Sequence, residues 1–244
     1  MVIGRHVDSE RGPGRGLRPT LRAIPFGSSG RRVMQLLTPR QQQELGRIST
    51  ELRRPARSKI FDQEAVADSI FIVERGVVKS FRDLPSGKRR VMAFLFPGDV
   101  FGLAEGGHYV NSTQAVTDSS ICRILREALV ETLRRDRELE VQFLCKVTHE
   151  LRELQRQQIV VTRRDAPGRI AMFLRMLDQQ RRKDGNAIDI PMSRSDIAQY
   201  LSLSPEAVSR ATASLEHDGI VSFPSLHTAN VLNRARFERL AAAV

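Results

Sequence analysis

Tryptophan is absent from this 244-residue chain, aromatic residues make up only 5% of it, and cysteine occurs twice. Cys122 and Cys145, far apart in sequence, provide neither a disulfide framework nor the four ligands of a structural zinc or an iron–sulfur cluster. Both suit packing, since free cysteine behaves as a small hydrophobe; oxidation sensing is the other use open to them. No apolar run reaches the ~18 to 20 residues that span a bilayer, and the Arg-rich start lacks the apolar centre of a secretory signal. The expectation is a cytoplasmic protein with no membrane partner. P-loop, nucleophile elbow and metal-spaced His/Cys/Asp/Glu clusters are also missing, so neither an enzyme nor a bound metal is expected.

What is present is an ordinary globular composition, 41% apolar and 27% charged, over a length that suits two domains. The formal net charge of +11 points to a polyanionic partner. Its distribution is uneven. Residues 1–60 hold 13 Lys and Arg against 4 Asp and Glu, whereas residues 187–244 hold 5 against 6.

That second, nearly neutral segment contains the most informative stretch, Ser193 to Gly219. Ser193 with Asp196 three residues on is an N-cap signature, and Ile197 and Leu201 make an apolar i, i+4 pair. After Ser202 and Leu203, Ser204 caps a second helix with Pro205 at its first position, where a missing amide costs nothing. Gly219 is the expected stop. On the second helix Val208, Ala211, Thr212 and Leu215 form one stripe, while Glu206, Ser209, Arg210 and Ala213 repeat that spacing two residues earlier, about 200° round the axis. Arginine suits guanine, glutamate the cytosine amino group, a hydroxyl either, and a methyl group thymine. A solvated helix face has the same pattern, so the rest of the chain must decide.

Residues 1–32, rich in Arg, Gly, Pro and Ser, read as a disordered basic tail, either an arm on DNA or a solubilising segment. Helical patterning is expected from Val33 to Leu52, with Thr38 and Pro39 as cap and first residue and Leu45, Ile48 and Leu52 on one face. Residues 59–125 change period. Ile70–Val73, Val77–Val78, Val91–Phe96 and Ser120–Leu125 read as short strands punctuated by Gly76, Ser86-Gly87, Pro97-Gly98 and Gly106-Gly107. In residues 137–163, Leu144, Val147, Leu151, Leu154, Gln158 and Val161 recur at alternating three- and four-residue spacing, the seam of a parallel homodimeric coiled coil. Asp165 to Gly168 breaks that helix. A helix from Arg169 to about Arg182 follows, then a short strand from Ala187 to Met192. Beyond Gly219, Ile220–Phe223 and Asn230–Leu232 flank Pro224–Ala229 as a hairpin, and Arg234–Val244 forms a terminal helix.

The segment Phe71–Leu103, with its glycine turn at Gly76, hairpin at Ser86-Gly87 and Pro97-Gly98-Asp99 step, resembles the β-roll of cyclic-nucleotide-binding domains. With the C-terminal helix pair it is similar to the Crp/Fnr superfamily of bacterial transcription regulators over about residues 35–232. The resemblance implies an α+β fold. Residues 33–127 would form the cyclic-nucleotide-binding-like β-roll, residues 128–164 would lead into the long dimerisation helix, and residues 165–244 would form a winged helix-turn-helix. Cyclic-AMP-binding members carry a Gly-Glu-Leu step and an Arg-Ser pair. This chain has Gly102-Leu103-Ala104, with Tyr109-Val110 near the position of the pair, so a cyclic phosphate lacks its cation and cyclic AMP is not expected to bind. The cysteine-free tail argues against the family's iron–sulfur sensor. His108 and His149 leave haem only as an alternative, and no cofactor is expected.

Glu206, Ser209 and Arg210 match the E-x-x-S-R pattern of the Fnr and FixK-type branches. The resemblance therefore implies a FixK-type activator, controlled through its abundance or by surface modification. As a homodimer on double-stranded DNA, with RNA polymerase as its further partner, it would read a TTGA-N6-TCAA-like palindrome through helix Pro205–Glu216. Ala213 completes the base-reading set. Arg169, Ser193, Arg194, Ser204, His227 and Thr228 are the expected backbone contacts. The alternatives are a family member whose roll binds an unidentified effector and a sensor acting through protein contacts.

Overall fold

The computed structural model describes residues 39–104, 106–145, 147–148, 165–180 and 187–242. Alternating burial organises its first half. Eight strands, β1 (Ser49–Arg54), β2 (Lys59–Phe61), β3 (Ser69–Arg75), β4 (Val78–Asp83), β5 (Arg89–Leu95), β6 (Val100–Phe101), β7 (Ser112–Ala115) and β8 (Ser119–Leu125), form two antiparallel sheets. Their orders are β1-β8-β3-β6 and β2-β7-β4-β5. Phe71, Val73 and Ile121 from the first sheet and Val78, Ala93 and Leu95 from the second meet between the sheets. Because side chains alternate along a strand, Ile70, Ile72, Cys122 and Ile124 face the other way. There they pack on Leu45, Leu129 and Leu139, from helices α1 (Pro39–Arg47), α2 (Arg126–Arg135) and α3 (helical residues 137–145 and 147–148).

The second sheet is likewise buried on both faces. Phe81, Val91, Phe94 and Phe96 share a core with the C-terminal helices. In β5, a bulge opposite Ser80–Phe81 inserts one residue, Met92, and so turns Val91 to the same face as Phe94. Strands covered on both sides carry continuous apolar runs, and this is why Val91–Phe96 does not alternate. At the β3–β4 turn, Gly76 sits at φ +84°, and a Cβ there would lie 2.5 Å from the Asp118 carbonyl oxygen; only glycine tolerates both constraints.

The C-terminal unit comprises α4 (Ala166–Gln180), β9 (Ala187–Asp189), α5 (Arg194–Leu201), α6 (Pro205–His217), β10 (Val221–Ser225), β11 (Thr228–Val231) and α7 (Arg234–Ala242). Its strands form a sheet of order β10-β11-β9. Among the described residues, no helix is long and apolar enough to cross a membrane.

Several local expectations shift, and the strand expected from Ala187 to Met192 ends at Asp189. The helix expected to reach Leu52 ends at Arg47, because Ser49–Arg54 pairs along β8 from Ser49 opposite Ile124 to Arg54 opposite Ser119; sheet pairing overrides the helical period there. The helix expected from Arg169 starts at Ala166, with the Gly168 amide donating to the Asp165 carboxylate at 3.2 Å. The short segment Asp165–Gly168, expected as a break, is thus a helix start, and residues 149–164 before it lie outside the described residues. The wing strands run closer to their turn than expected, so that Pro224 lies within β10. Residues 1–38, His149, Leu151, Leu154, Gln158 and Val161 lie outside the described residues.

Candidate nucleic-acid interface

Helix α5 is capped by Ser193, whose hydroxyl accepts from the Asp196 amide at 3.1 Å. It ends at Ser202 in the left-handed region, φ 53°, with the Leu203 amide returning to the Ala198 carbonyl at 2.9 Å. Ser204 then caps α6 by accepting from the Ala207 amide at 3.2 Å, with Pro205 at the first position. The two caps and the left-handed residue set the angle between the helices. From α4, the Arg169 guanidinium donates to the Leu201 carbonyl at 3.0 Å, which neutralises the negative end of α5.

Val208, Ala211, Thr212 and Leu215 are buried as the periodicity predicts. Glu206, Ser209, Arg210 and Ala213 are exposed together on the opposite face. The Ser204 hydroxyl, followed by the helix's own backbone and a smaller contribution from Arg210, holds the Glu206 carboxyl below its usual range. It is ionised at neutral pH and accepts hydrogen bonds only.

The expected backbone-contacting residues divide. Ser193 and Ser204 occupy helix starts and are exposed, and His227 is exposed at the wing turn. Thr228 is half-buried within β11. Arg194 is half-buried and reaches the Thr212 hydroxyl at 3.4 Å, so it braces α6. Arg169 is occupied by the turn, as described. The wing is tied to the same helix, since the Phe223 amide donates to Glu216 Oε1 at 2.8 Å.

Inside the roll, four rings fill the space between the sheets. Phe61 stacks on Tyr109 with centroids 3.8 Å apart and lies 5.2 Å from Phe71, which in turn stacks on Phe101 at 5.2 Å. The Tyr109 hydroxyl donates to the Ser69 carbonyl at 2.9 Å. Tyr109, read from sequence only as a departure from a binding pair, is therefore a core side chain. Periodicity could not reveal this cluster, whose members come from four separate segments. His108 is exposed, its Nδ1 3.3 Å from the Gly106 carbonyl oxygen. Among the described residues, no cluster of three or more His, Cys, Asp or Glu is arranged to hold a metal.

Cys122 is buried and its thiol donates to Glu74 Oε1 at 2.7 Å. Burial first, then Glu74, pushes the thiol up to about 12, so the reactive thiolate is disfavoured. Cys145 is exposed. A maleimide is expected to modify one thiol rapidly in the native protein and the second only in denaturant. Rapid loss of two thiols from native protein would contradict the burial of Cys122.

A β-roll joined to a helix-turn-helix with a wing, its polar helix face turned outward, defines a DNA-binding transcription regulator. Residues 51–136 match the cyclic nucleotide-binding domain family and residues 168–240 the Crp-like helix-turn-helix domain family. The chain belongs to the Crp/Fnr family of transcription regulators and is not an enzyme. It is similar to the transcriptional activatory protein AadR of Rhodopseudomonas palustris, 31% identical over 85% of this chain and 87% of that protein. It is also similar to the nitrogen fixation regulation protein FixK of Azorhizobium caulinodans, 34% identical over 75% of each. Among solved structures it resembles FixK2 from Bradyrhizobium japonicum, with 31% identity and a TM-score of 0.75 over 81% of this chain and 99% of that one.

Proposed function

We propose that this regulator is a cytoplasmic, homodimeric activator that reads a TTGA-N6-TCAA-like palindrome through α6. The observation that carries the reading is the joint exposure of Glu206, Ser209, Arg210 and Ala213 on one face of a capped helix. Arg210 takes the guanine, Glu206 accepts from a cytosine amino group, Ser209 adds a hydroxyl and Ala213 contacts a thymine methyl. Ser193, Ser204, His227 and Thr228 border the duplex, while Arg169 and Arg194 act chiefly by holding the helix pair.

Two readers on one side of the duplex must stand about 34 Å apart, which requires a dimer. Support comes from α3, where Val141 and Leu144 are 54% and 59% exposed, an apolar surface that a single chain leaves in water and a parallel partner helix would cover. The remaining seam positions, Val147 and residues 151–161, would extend it. The activating role follows the names of the relatives AadR, "transcriptional activatory protein", and Anr of Pseudomonas aeruginosa, "transcriptional activator protein", and makes RNA polymerase the further partner.

The test is selection of bound sequences from random DNA by purified protein, followed by a mobility shift at increasing salt. Enrichment of paired TTGA half-sites is expected; enrichment of an unrelated sequence, or of none, refutes the reading. The ring cluster in the roll supports regulation without a cyclic nucleotide. Titration with cyclic AMP is expected to give no binding heat, and micromolar affinity would show that the rings move aside.

A further inference from the structure

We infer that the contact between the β-roll and the reader is a positioning joint that sets which half-site spacing the dimer accepts. This inference rests on the palindrome reading above. The joint has a polar and an aromatic part. Lys79 of β4 reaches across to Asp196 of α5, Nζ to Oδ1 at 2.5 Å, with the two side chains only 11% and 14% exposed. Beside them Phe94 of β5 meets Phe173 of α4 and Tyr200 of α5, with centroids 6.0 and 5.1 Å apart, and Phe173 and Tyr200 are 5.8 Å from each other. All three pairs are tilted, with interplanar angles of 54–57°, and their centroids lie within the distance range of attractive aromatic contacts.

A joint of apolar surface alone tolerates sliding, because burial has no direction. A hydrogen-bonded ion pair withdrawn from water does not, since either partner displaced from the other is left as an uncompensated charge. Lys79 projects from the outer face of β4, the face of Phe81. Arg89, stacked 4.1 Å from the Phe81 ring centroid and paired with Asp83 at 2.7 Å, adds further positive charge near Asp196. Asp196 lies in the first turn of α5, the helix that the left-handed turn couples to α6. Lys79 thereby fixes the orientation of the reading face without touching DNA.

A single half-site engages one reader, and the DNA adapts to whatever orientation that reader has. A palindrome engages two at once, and the second contact gains only if the readers already stand at the right separation. Loosening the joint therefore penalises paired sites selectively.

The experiment compares native protein with Lys79→Ala on a palindrome, on a single half-site, and on palindromes with the spacer one base pair longer or shorter. The variant is expected to lose on the order of tenfold on the palindrome, to keep its half-site affinity, and to discriminate less among spacers. Unchanged palindrome affinity and spacer preference overturn the joint. So does an equal loss on half-site and palindrome, which marks a purely structural role. Should Lys79→Ala fail to fold, the double variant Lys79→Met/Asp196→Asn removes both charges at similar bulk and leaves neither charge buried without its partner, and its affinities decide in the same way. Failure of the native protein on every TTGA site would instead refute the palindrome reading, and the joint with it.

Discussion

Arg210→Ala is expected to lose about 1–3 kcal/mol of specific DNA binding and to relax discrimination at one base pair of each half-site. Arg210 lies in the first half of α6, exposed and one turn after Glu206 on the same face. Its planar fork can donate two parallel hydrogen bonds to guanine O6 and N7, and no other base presents that pair of acceptors. Lysine at this position is a point charge without the fork, so Arg210→Lys should recover attraction to DNA but little of the discrimination. The measurement is competition of half-site variants in a mobility shift at fixed salt. An equal loss on specific and random DNA would assign Arg210 to a phosphate. Glu206 cannot serve as a phosphate ligand, since its carboxyl is ionised and lies below the ordinary range; Glu206→Gln thus separates base reading from charge attraction.

Phe173→Ala is expected to reduce folding stability by about 3–5 kcal/mol, the cost of a large ring removed from a packed core. Phe173 is 2% exposed and belongs to the core that joins β4 and β5 to the C-terminal helices. Its loss opens a cavity against Phe94 and Tyr200 and deletes two tilted ring contacts. Against the roughly 5–15 kcal/mol that holds a typical domain, such a loss unfolds much of the protein on mild heating. Urea titration followed by far-UV dichroism should show a lower midpoint with little change in slope. A change below about 1 kcal/mol would mean that the ring is not packed as described.

Legibility in the sequence followed the range of the interactions involved. Every feature of Ser193–Gly219 was readable because each rests on neighbours within one or two helical turns: the caps at Ser193 and Ser204, the buried stripe from Val208 to Leu215 and the outward set around Arg210. Gly76 was readable as a turn, although its close approach to Asp118 was not. The helical expectation runs on to Leu52, into strand Ser49–Arg54, because Leu45, Ile48 and Leu52 satisfy a helical period by themselves. Only pairing with Ser119–Leu125, some seventy residues away, makes that segment a strand. Strand β7, Ser112–Ala115, carries almost no apolar signal of its own and owes its conformation to neighbours on both sides.

Because residues 187–244 are nearly neutral, DNA binding by this segment rests on a few focused groups and not on bulk positive charge. By itself the sequence determined the family and which side chains of α6 turn inward and outward, because helix periodicity and capping are local properties of the chain. Only the tertiary structure decided that Phe61, Phe71, Phe101 and Tyr109 close the interior of the roll, and that Lys79 and Asp196 tie the roll to the reader across 117 residues. Those outcomes depend on which distant segments share a wall, and that is settled only when sheets and helices bury their apolar faces against one another.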